Sequence, residues 1–310
     1  MMKSVKLIPW VIALGLAWSL GFAYNIYKGG LISWLRGMYY NKVALASELK
    51  DSPRLLIVGG SGAHYTVNSK FMEEQLGLTV LNLGLDGNVG LNVIFPTMIE
   101  QVRPGDIVLL IPEYLLLLDE DGIGERSVSF AVAIAKPGRG DIPPRQFAED
   151  GWLLGIPGVN SLVKSGVDLA TKGKIDDYYT DPLTERGDPT KTWYRKSRWR
   201  KAGIKKPISN HSVKLITQFK QDVEAKGANL IISLPIFYGS TDEKTLKNVK
   251  KTAAELEKIA PLIYDPETLN IWTDSRLFAD TNDHLQPHAR LERSKQIIRQ
   301  LQPLLTQINP

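Results

Sequence analysis

The hydrophobic pattern of the chain changes character once, near residue 30. From Leu7 to Tyr27 the sequence LIPWVIALGLAWSLGFAYNIY has no charged residue over 21 positions. As a helix rising about 1.5 Å per residue, it is long enough to cross the hydrocarbon core of a bilayer. A cleaved signal peptide is the competing reading. The run is longer than a usual signal core, however, and no clear small-x-small site precedes a polar mature sequence. An uncleaved N-terminal anchor over residues 1–30 is therefore expected, followed by one globular domain over 31–310.

Beyond the anchor, short apolar runs bounded by turn residues read as strands buried on both faces: residues 54–59, 79–84, 106–112, 229–235 and 262–265. Helical periodicity fills the gaps at 68–75, 91–102, 212–226, 241–259 and 289–302. The alternation predicts an α/β fold, a flavodoxin-like three-layer parallel sheet with helices on both faces. Such sheets bind ligands outside the carboxyl ends of their strands, and Ser61, Gly84 and Glu113 all fall on that edge. The stretch 115–209 breaks the alternation. It is rich in Gly, Pro and charge, as in AKPGRGDIPPR and YYTDPLTERGDPTK, and too long for a bare loop. A cap-like insertion with short helices, one at 159–170, is expected; a partly disordered insertion is the alternative.

Composition narrows the picture. A chain of 310 residues, 43% hydrophobic and 23% charged, suits one core plus a small extra element. The absence of cysteine excludes disulfides, thiol catalysis and thiolate metal sites. Lys3 and Lys6 precede the apolar run, while Lys28, Arg36 and Lys42 follow it with no acid before Glu48, so positive charge does not set the orientation. The net charge of +5 is densest in KTWYRKSRWRK, residues 191–201. There Trp193, Tyr194 and Trp199 alternate with Arg195, Lys196, Arg198, Arg200 and Lys201, a pattern suited to sugars, an anionic glycan or membrane lipid headgroups. A solvated loop is the plain alternative. Nucleic acid is not expected as a partner, because charge alone would speak for it.

Two segments carry the candidate chemistry. LLIVGGSGAH places Ser61 just beyond a buried strand, and FADTNDHL offers Asp280 and His284 four residues apart. A serine hydroxyl needs an imidazole to take its proton and a carboxylate to orient that imidazole. The same Gly-Gly-Ser-Gly turn also fits a tight βα loop whose serine caps the next helix. A dinucleotide loop is excluded because Tyr65 stands where its third glycine belongs, and no phosphate-loop lysine follows. The α/β-hydrolase elbow fails because position 63 is alanine. Of the four histidines, His284 has the best claim; His64 reads as a surface or capping residue, and His211 and His288 have no comparable context. Asp283, His284 and His288 form too weak a pattern for a metal, so neither metal nor cofactor is expected.

These residues resemble the SGNH, or GDSL-type, hydrolase superfamily, particularly its membrane-anchored branch with D-alanyl-transfer and polysaccharide O-acetylation proteins. The likeness rests on Gly59-Gly60-Ser61, on Asn82-Leu83-Gly84, and on Asp280-Thr281-Asn282-Asp283-His284-Leu285. The third block departs from the pattern: Pro112-Glu113-Tyr114 stands where Gly-x-Asn-Asp is usual. The usual Asp-x-x-His is also altered, because Thr281 precedes His284 by three, leaving Asp280 as orienter and Asp283 as fallback. The resemblance implies an SGNH-type domain facing the cell exterior or periplasm, with Ser61, Asp280 and His284 as catalytic residues. It further implies a small acyl group, an envelope glycan or polymer as acceptor, and a membrane-bound acyl-exporting protein as partner. Backbone amides of Ser61 and Gly84 are candidate oxyanion donors. Asn88 is a substitute for the missing asparagine, while Glu113 either is protonated by burial, points away, or binds the acceptor. A noncatalytic glycan-binding or envelope-assembly protein with a degenerate site is the alternative.

Overall fold

A computed structural model describes residues 7–49, 53–173, 182–192, 194 and 200–308. In chain order the helices are α1 (Ile8–Tyr27), α2 (Leu31–Glu48), α3 (Ser61–His64), α4 (Ser69–Leu76), α5 (Leu91–Met98), α6 (Tyr114–Leu117), α7 (Ser127–Ala133), α8 (Pro144–Leu153), α9 (Gly155–Lys172), α10 (Asn210–Ala225), α11 (Glu243–Glu257) and α12 (Pro287–Ile308). The strands are β1 (Arg54–Gly59), β2 (Thr79–Asn82), β3 (Ile107–Ile111), β4 (Asn229–Ser233), β5 (Phe237–Tyr238), β6 (Leu262–Ile263) and β7 (Ile271–Trp272). The chain divides into two compact units, Met1–Tyr40 with Arg126–Asp181, and Asn41–Glu125 with Pro182–Pro310.

The second unit is a mixed α/β structure around a five-stranded parallel sheet ordered β2-β1-β3-β4-β6. Every residue of β1 and β3 is buried, as their unbroken apolar runs require. Leu55, Ile57, Ile107, Leu109 and Ile111 share one cluster with Met72 of α4 and with Ile297 and Leu301 of α12. Strand alternation turns Leu56, Val58, Val108 and Leu110 to the opposite face, where they are equally buried, so both faces are covered. The strand order reverses between β1 and β3, which is where sheets of this kind open a ligand crevice. Ser61 follows one of these strands and Glu113 the other.

The opposite edge of the sheet is locked by charge. The fully buried Arg54 guanidinium grips Asp106 bidentately, Nε to Oδ1 at 3.0 Å and Nη2 to Oδ2 at 2.6 Å. Its Nη1 also donates to the Ala46 and Leu49 carbonyls, which fastens the end of α2 beneath β1 and β3. Helix α2 is absent from the sequence expectations, and so is a separate two-stranded parallel sheet of β5 and β7, too short at two residues each to show a period.

In the first unit, α1 packs on α9 through small residues. Any side chain at Gly21 would strike Val159, and one at Gly158 would strike the Gly21 backbone. Asn25 Nδ2 donates to the Leu154 carbonyl at 3.1 Å. The helix expected at 159–170 lies inside α9. Among the described residues, one N-terminal helical stretch is long and apolar enough for a membrane anchor or a signal sequence. Trp10 and Leu14 on it are about 70% exposed, which suits an apolar surround.

Candidate active site

The turn after β1 is built from glycine because nothing larger fits. Gly59 has φ +155, and a side chain there would strike the Ile111 carbonyl of β3. Gly60 and Gly62 lie so close to Glu113 that a methyl on either would collide with it, and Gly87 closes the cradle from the other side. Into that cradle the Glu113 carboxylate accepts three hydrogen bonds: Gly60 N at 3.1 Å, Gly62 N at 2.8 Å and Ser61 Oγ at 3.1 Å. Burial, then the charge of Asp283, lifts its pKa to about 7 against the pull of the Gly62 amide and the Ser61 hydroxyl.

His284 is held on a loop closed at both ends. Phe278 and Leu285 form an antiparallel bridge, Ala279 N donates to the His284 carbonyl, and Asn282 is bonded to the Tyr238 backbone in both directions. Thr281, the residue that displaces the usual aspartate, accepts from His284 N at 3.1 Å and donates to Asp283 Oδ1 at 2.6 Å. That turn brings Asp280 Oδ1 to 2.8 Å from His284 Nδ1, so the minus-four carboxylate meets the ring and Asp283 bonds Thr281 instead. The imidazole lies on Tyr65, ring centroids 4.4 Å apart, and Leu285 N donates to the Tyr65 carbonyl. Tyr65 N in turn donates to the Ser61 carbonyl at 2.9 Å, which sets the imidazole against the turn that begins with the serine.

The protonation states follow from these contacts. Burial alone would lower the His284 pKa, but the hydrogen bond and charge of Asp280, with Asp283 and Glu113, outweigh it and raise the value. For Asp280, burial opposes ionisation, yet the His284 contact and Arg290 hold its carboxyl below the ordinary range. With Nδ1–H committed to Asp280, Nε2 is the basic atom, and it is buried without a hydrogen-bond partner among the described residues. The serine hydroxyl donates to Glu113 in this state.

Two expected oxyanion donors point elsewhere. The Gly84 amide donates to Asn82 Oδ1 at 3.0 Å, and Asn88 Nδ2 donates to Asp86 Oδ1 at 3.1 Å. Gly84 is needed for close approach instead, because a methyl there would strike Ala63 and the His64 backbone. His64, expected at the surface or as a cap, is fully buried, with Lys42 Nζ 3.0 Å from its Nδ1. Burial, then the charges of Lys42, Arg290 and His284, keeps it well below its ordinary pKa and hence neutral.

Sequence reasoning missed the polar layer to which His64 belongs. Lys42, counted there only as a charge after the apolar run, is fully buried and donates to the Gly84 carbonyl at 2.6 Å. Asn82 links this lysine to Asp188, which also receives both Ser69 donors. Asn82 was visible beside Gly84; nothing local marks Lys42 or Asp188.

Beside Glu113 opens a cavity of about 440 Å³ lined by Gly87, Asn88, Tyr114, Leu116, Asp119 and Ile123 among others. Of the basic aromatic segment, Trp193, Arg195, Lys196, Arg198 and Trp199 lie outside the described residues. Its described ends are tied to the histidine loop region: Thr192 Oγ1 accepts from Arg290, and the Arg200 carbonyl accepts from Asn282. Among the described residues no group of three or more His, Asp or Glu could hold a metal.

Fold and site together define a doubly wound α/β protein with a strand-end serine and a local histidine–aspartate pair. No protein-family model matches the chain, and no curated protein matches it. It is similar to a solved structure described as a lipolytic protein of the G-D-S-L family from Desulfitobacterium hafniense, with 10% identity, a TM-score of 0.37, and 80% of this chain and 99% of that one covered. It is also similar to the YXIM protein of Bacillus subtilis, with 13% identity, a TM-score of 0.38, and 82% of this chain and 57% of that one covered. The case for a function rests on the chain's own residues.

Proposed function

We propose that the protein is a membrane-anchored SGNH-type serine acyl esterase or O-acyltransferase that acts on a cell-envelope glycan or polymer through an acyl-serine intermediate. The observation that carries this reading is His284, bonded through Nδ1 to Asp280 while its buried Nε2 has no hydrogen-bond partner among the described residues. A rotation of the Ser61 side chain off Glu113 directs its hydroxyl to that nitrogen. Oγ then attacks the acyl carbonyl carbon as its proton passes to Nε2, and the carbonyl electron pair moves onto oxygen. Collapse expels the leaving group, which takes the proton back from His284, and leaves the acyl group on Ser61. Water or a sugar hydroxyl repeats the sequence in reverse, with His284 again as base. The tethered ends of the basic segment 191–201 support an anionic or sugar acceptor near the histidine loop.

In this proposal the apolar N-terminal run anchors the protein, the α/β domain faces the extracytoplasmic side, and a membrane-bound acyl-exporting protein supplies the acyl group. The test uses the full chain in detergent micelles with a fluorophosphonate probe and a short-chain p-nitrophenyl ester, beside Ser61→Ala and His284→Ala. Labelling and turnover lost in both variants support an acyl-serine enzyme. A folded wild-type protein that takes no label favours the second reading, a noncatalytic glycan-binding or assembly protein. The bond from Ser61 to Glu113 speaks for that reading.

A further inference from the structure

Resting on the acyl-serine reading, we infer that Glu113 acts as a neutral carboxylic acid whose O–H is the side-chain donor to the oxyanion, in the place an amide side chain would otherwise fill. Three observations carry this assignment. First, Glu113 is the side chain that touches the nucleophile: Oε1 lies 3.1 Å from Ser61 Oγ, the atom that bonds to the acyl carbon. The adduct's oxygen sits one bond beyond that carbon, within reach of the same carboxyl. Second, of the other donors expected from the sequence, Gly84 N is spent on Asn82 and Asn88 Nδ2 commits one of its two hydrogens to Asp86, which leaves the Ser61 amide as the backbone donor. Third, the cradle of Gly60, Gly62 and Gly87 fixes the carboxyl at 2% exposure with amides and a hydroxyl as partners.

Charge selects the protonated form. The groups facing this carboxyl are Asp283, which repels a negative charge, His284, the Gly60 and Gly62 amides and the Ser61 hydroxyl. Were Glu113 ionised during attack, its charge would stand beside the new oxyanion, with Asp280 and Asp283 close by and only the imidazolium and the Arg290 guanidinium to balance them. In a dry site, where Coulomb energies are several times those in water, that arrangement opposes the reaction. A neutral Glu113 turns the same contact into a donated hydrogen bond. Oε1 keeps the Gly62 amide, Oε2 accepts from the Gly60 amide on one lone pair and carries the proton that it shares with the oxyanion, and no proton is transferred from Glu113. The lifted pKa makes this form accessible near neutral pH.

The experiment measures the rate of fluorophosphonate labelling of Ser61 in the full-length protein from pH 5 to 9, for wild type, Glu113→Gln and Glu113→Ala, with melting temperatures as the folding check. The wild-type rate should fall at the acid end as His284 gains its proton, and again above about pH 7 as Glu113 loses its own. Glu113→Gln, which presents an N–H donor without a titration, should lose less than about tenfold at pH 6 and abolish the alkaline fall. Glu113→Ala should lose about 10²- to 10³-fold, the scale of one oxyanion donor. Labelling of Ser61 with no alkaline difference between wild type and Glu113→Gln overturns the role of Glu113 and leaves the acyl-serine reading standing. A glutamine variant as impaired as the folded alanine variant does the same, and no labelling of folded wild type overturns both.

Discussion

The Ser61 hydroxyl donates to Glu113 Oε1 at 3.1 Å, while the buried His284 Nε2 has no hydrogen-bond partner among the described residues. The resting serine is therefore bonded to a carboxyl group. Because that carboxyl is buried, its protonation also bears on folding. Its pKa rises from 4.5 to about 7, so the folded state binds the proton more tightly than the unfolded chain. The associated stability is complete below 4.5 and is lost as pH climbs to about 7, by on the order of 3 kcal/mol. Glu113→Gln should accordingly raise the melting temperature more at pH 8 than at pH 5, which a thermal scan at the two values checks.

Asp280 and Asp283 should separate sharply despite their proximity in sequence. Asp280→Asn removes the charge that favours the Nδ1–H tautomer and should lower labelling by as much as about 10⁴-fold. Asp283 bonds Thr281, so Asp283→Asn should reduce the rate far less and lower the His284 pKa. Labelling rates and an NMR titration of His284 read both effects.

Lys42→Met tests the buried layer under the serine turn. Wild-type His64 stays neutral when folded but gains a proton near 6.5 when unfolded, so His64 makes the protein lose stability as pH drops below that value. Removing Lys42 removes a charge that depresses the His64 pKa, so this acid-side loss should shrink. At neutral pH the variant should be less stable by about 1–3 kcal/mol, because the Gly84 carbonyl loses its donor. Urea melts at pH 5 and 7.5 measure both terms.

Arg54→Ala should destabilise by roughly 3–5 kcal/mol, the scale for stranding one half of a buried ion pair. The double variant Arg54→Met, Asp106→Leu should recover only part of this, since the Ala46 and Leu49 carbonyls still lose their donors. Denaturant titration of the two variants beside wild type decides the point.

The legible parts of this protein are those whose cause is local. Strands β1 and β3 announce themselves because burial on both faces demands unbroken apolar runs, and Asp280 finds His284 because one turn of chain joins them. By contrast, β5 and β7 are two residues each, and their partners are over thirty residues apart. Lys42, Asn82 and Asp188 meet only through the folded sheet, so a lysine that looks like a topology signal becomes an internal hydrogen-bond donor. Gly84 N and one Asn88 hydrogen are bonded to Asn82 and Asp86 for the same reason: a sequence offers N–H groups without revealing which neighbour takes them first.

The close fit of α1 against α9 bears on how the protein can be handled. The two helices meet where Gly21 and Gly158 leave no room for a side chain, so α1 supplies the wall that α9 lies against. A soluble form made by trimming the chain before residue 41 would strip that wall and leave α9 with a bare glycine-lined flank, prone to self-association. Preparative truncation should therefore excise 126–181 together with the first forty residues, or leave both in place.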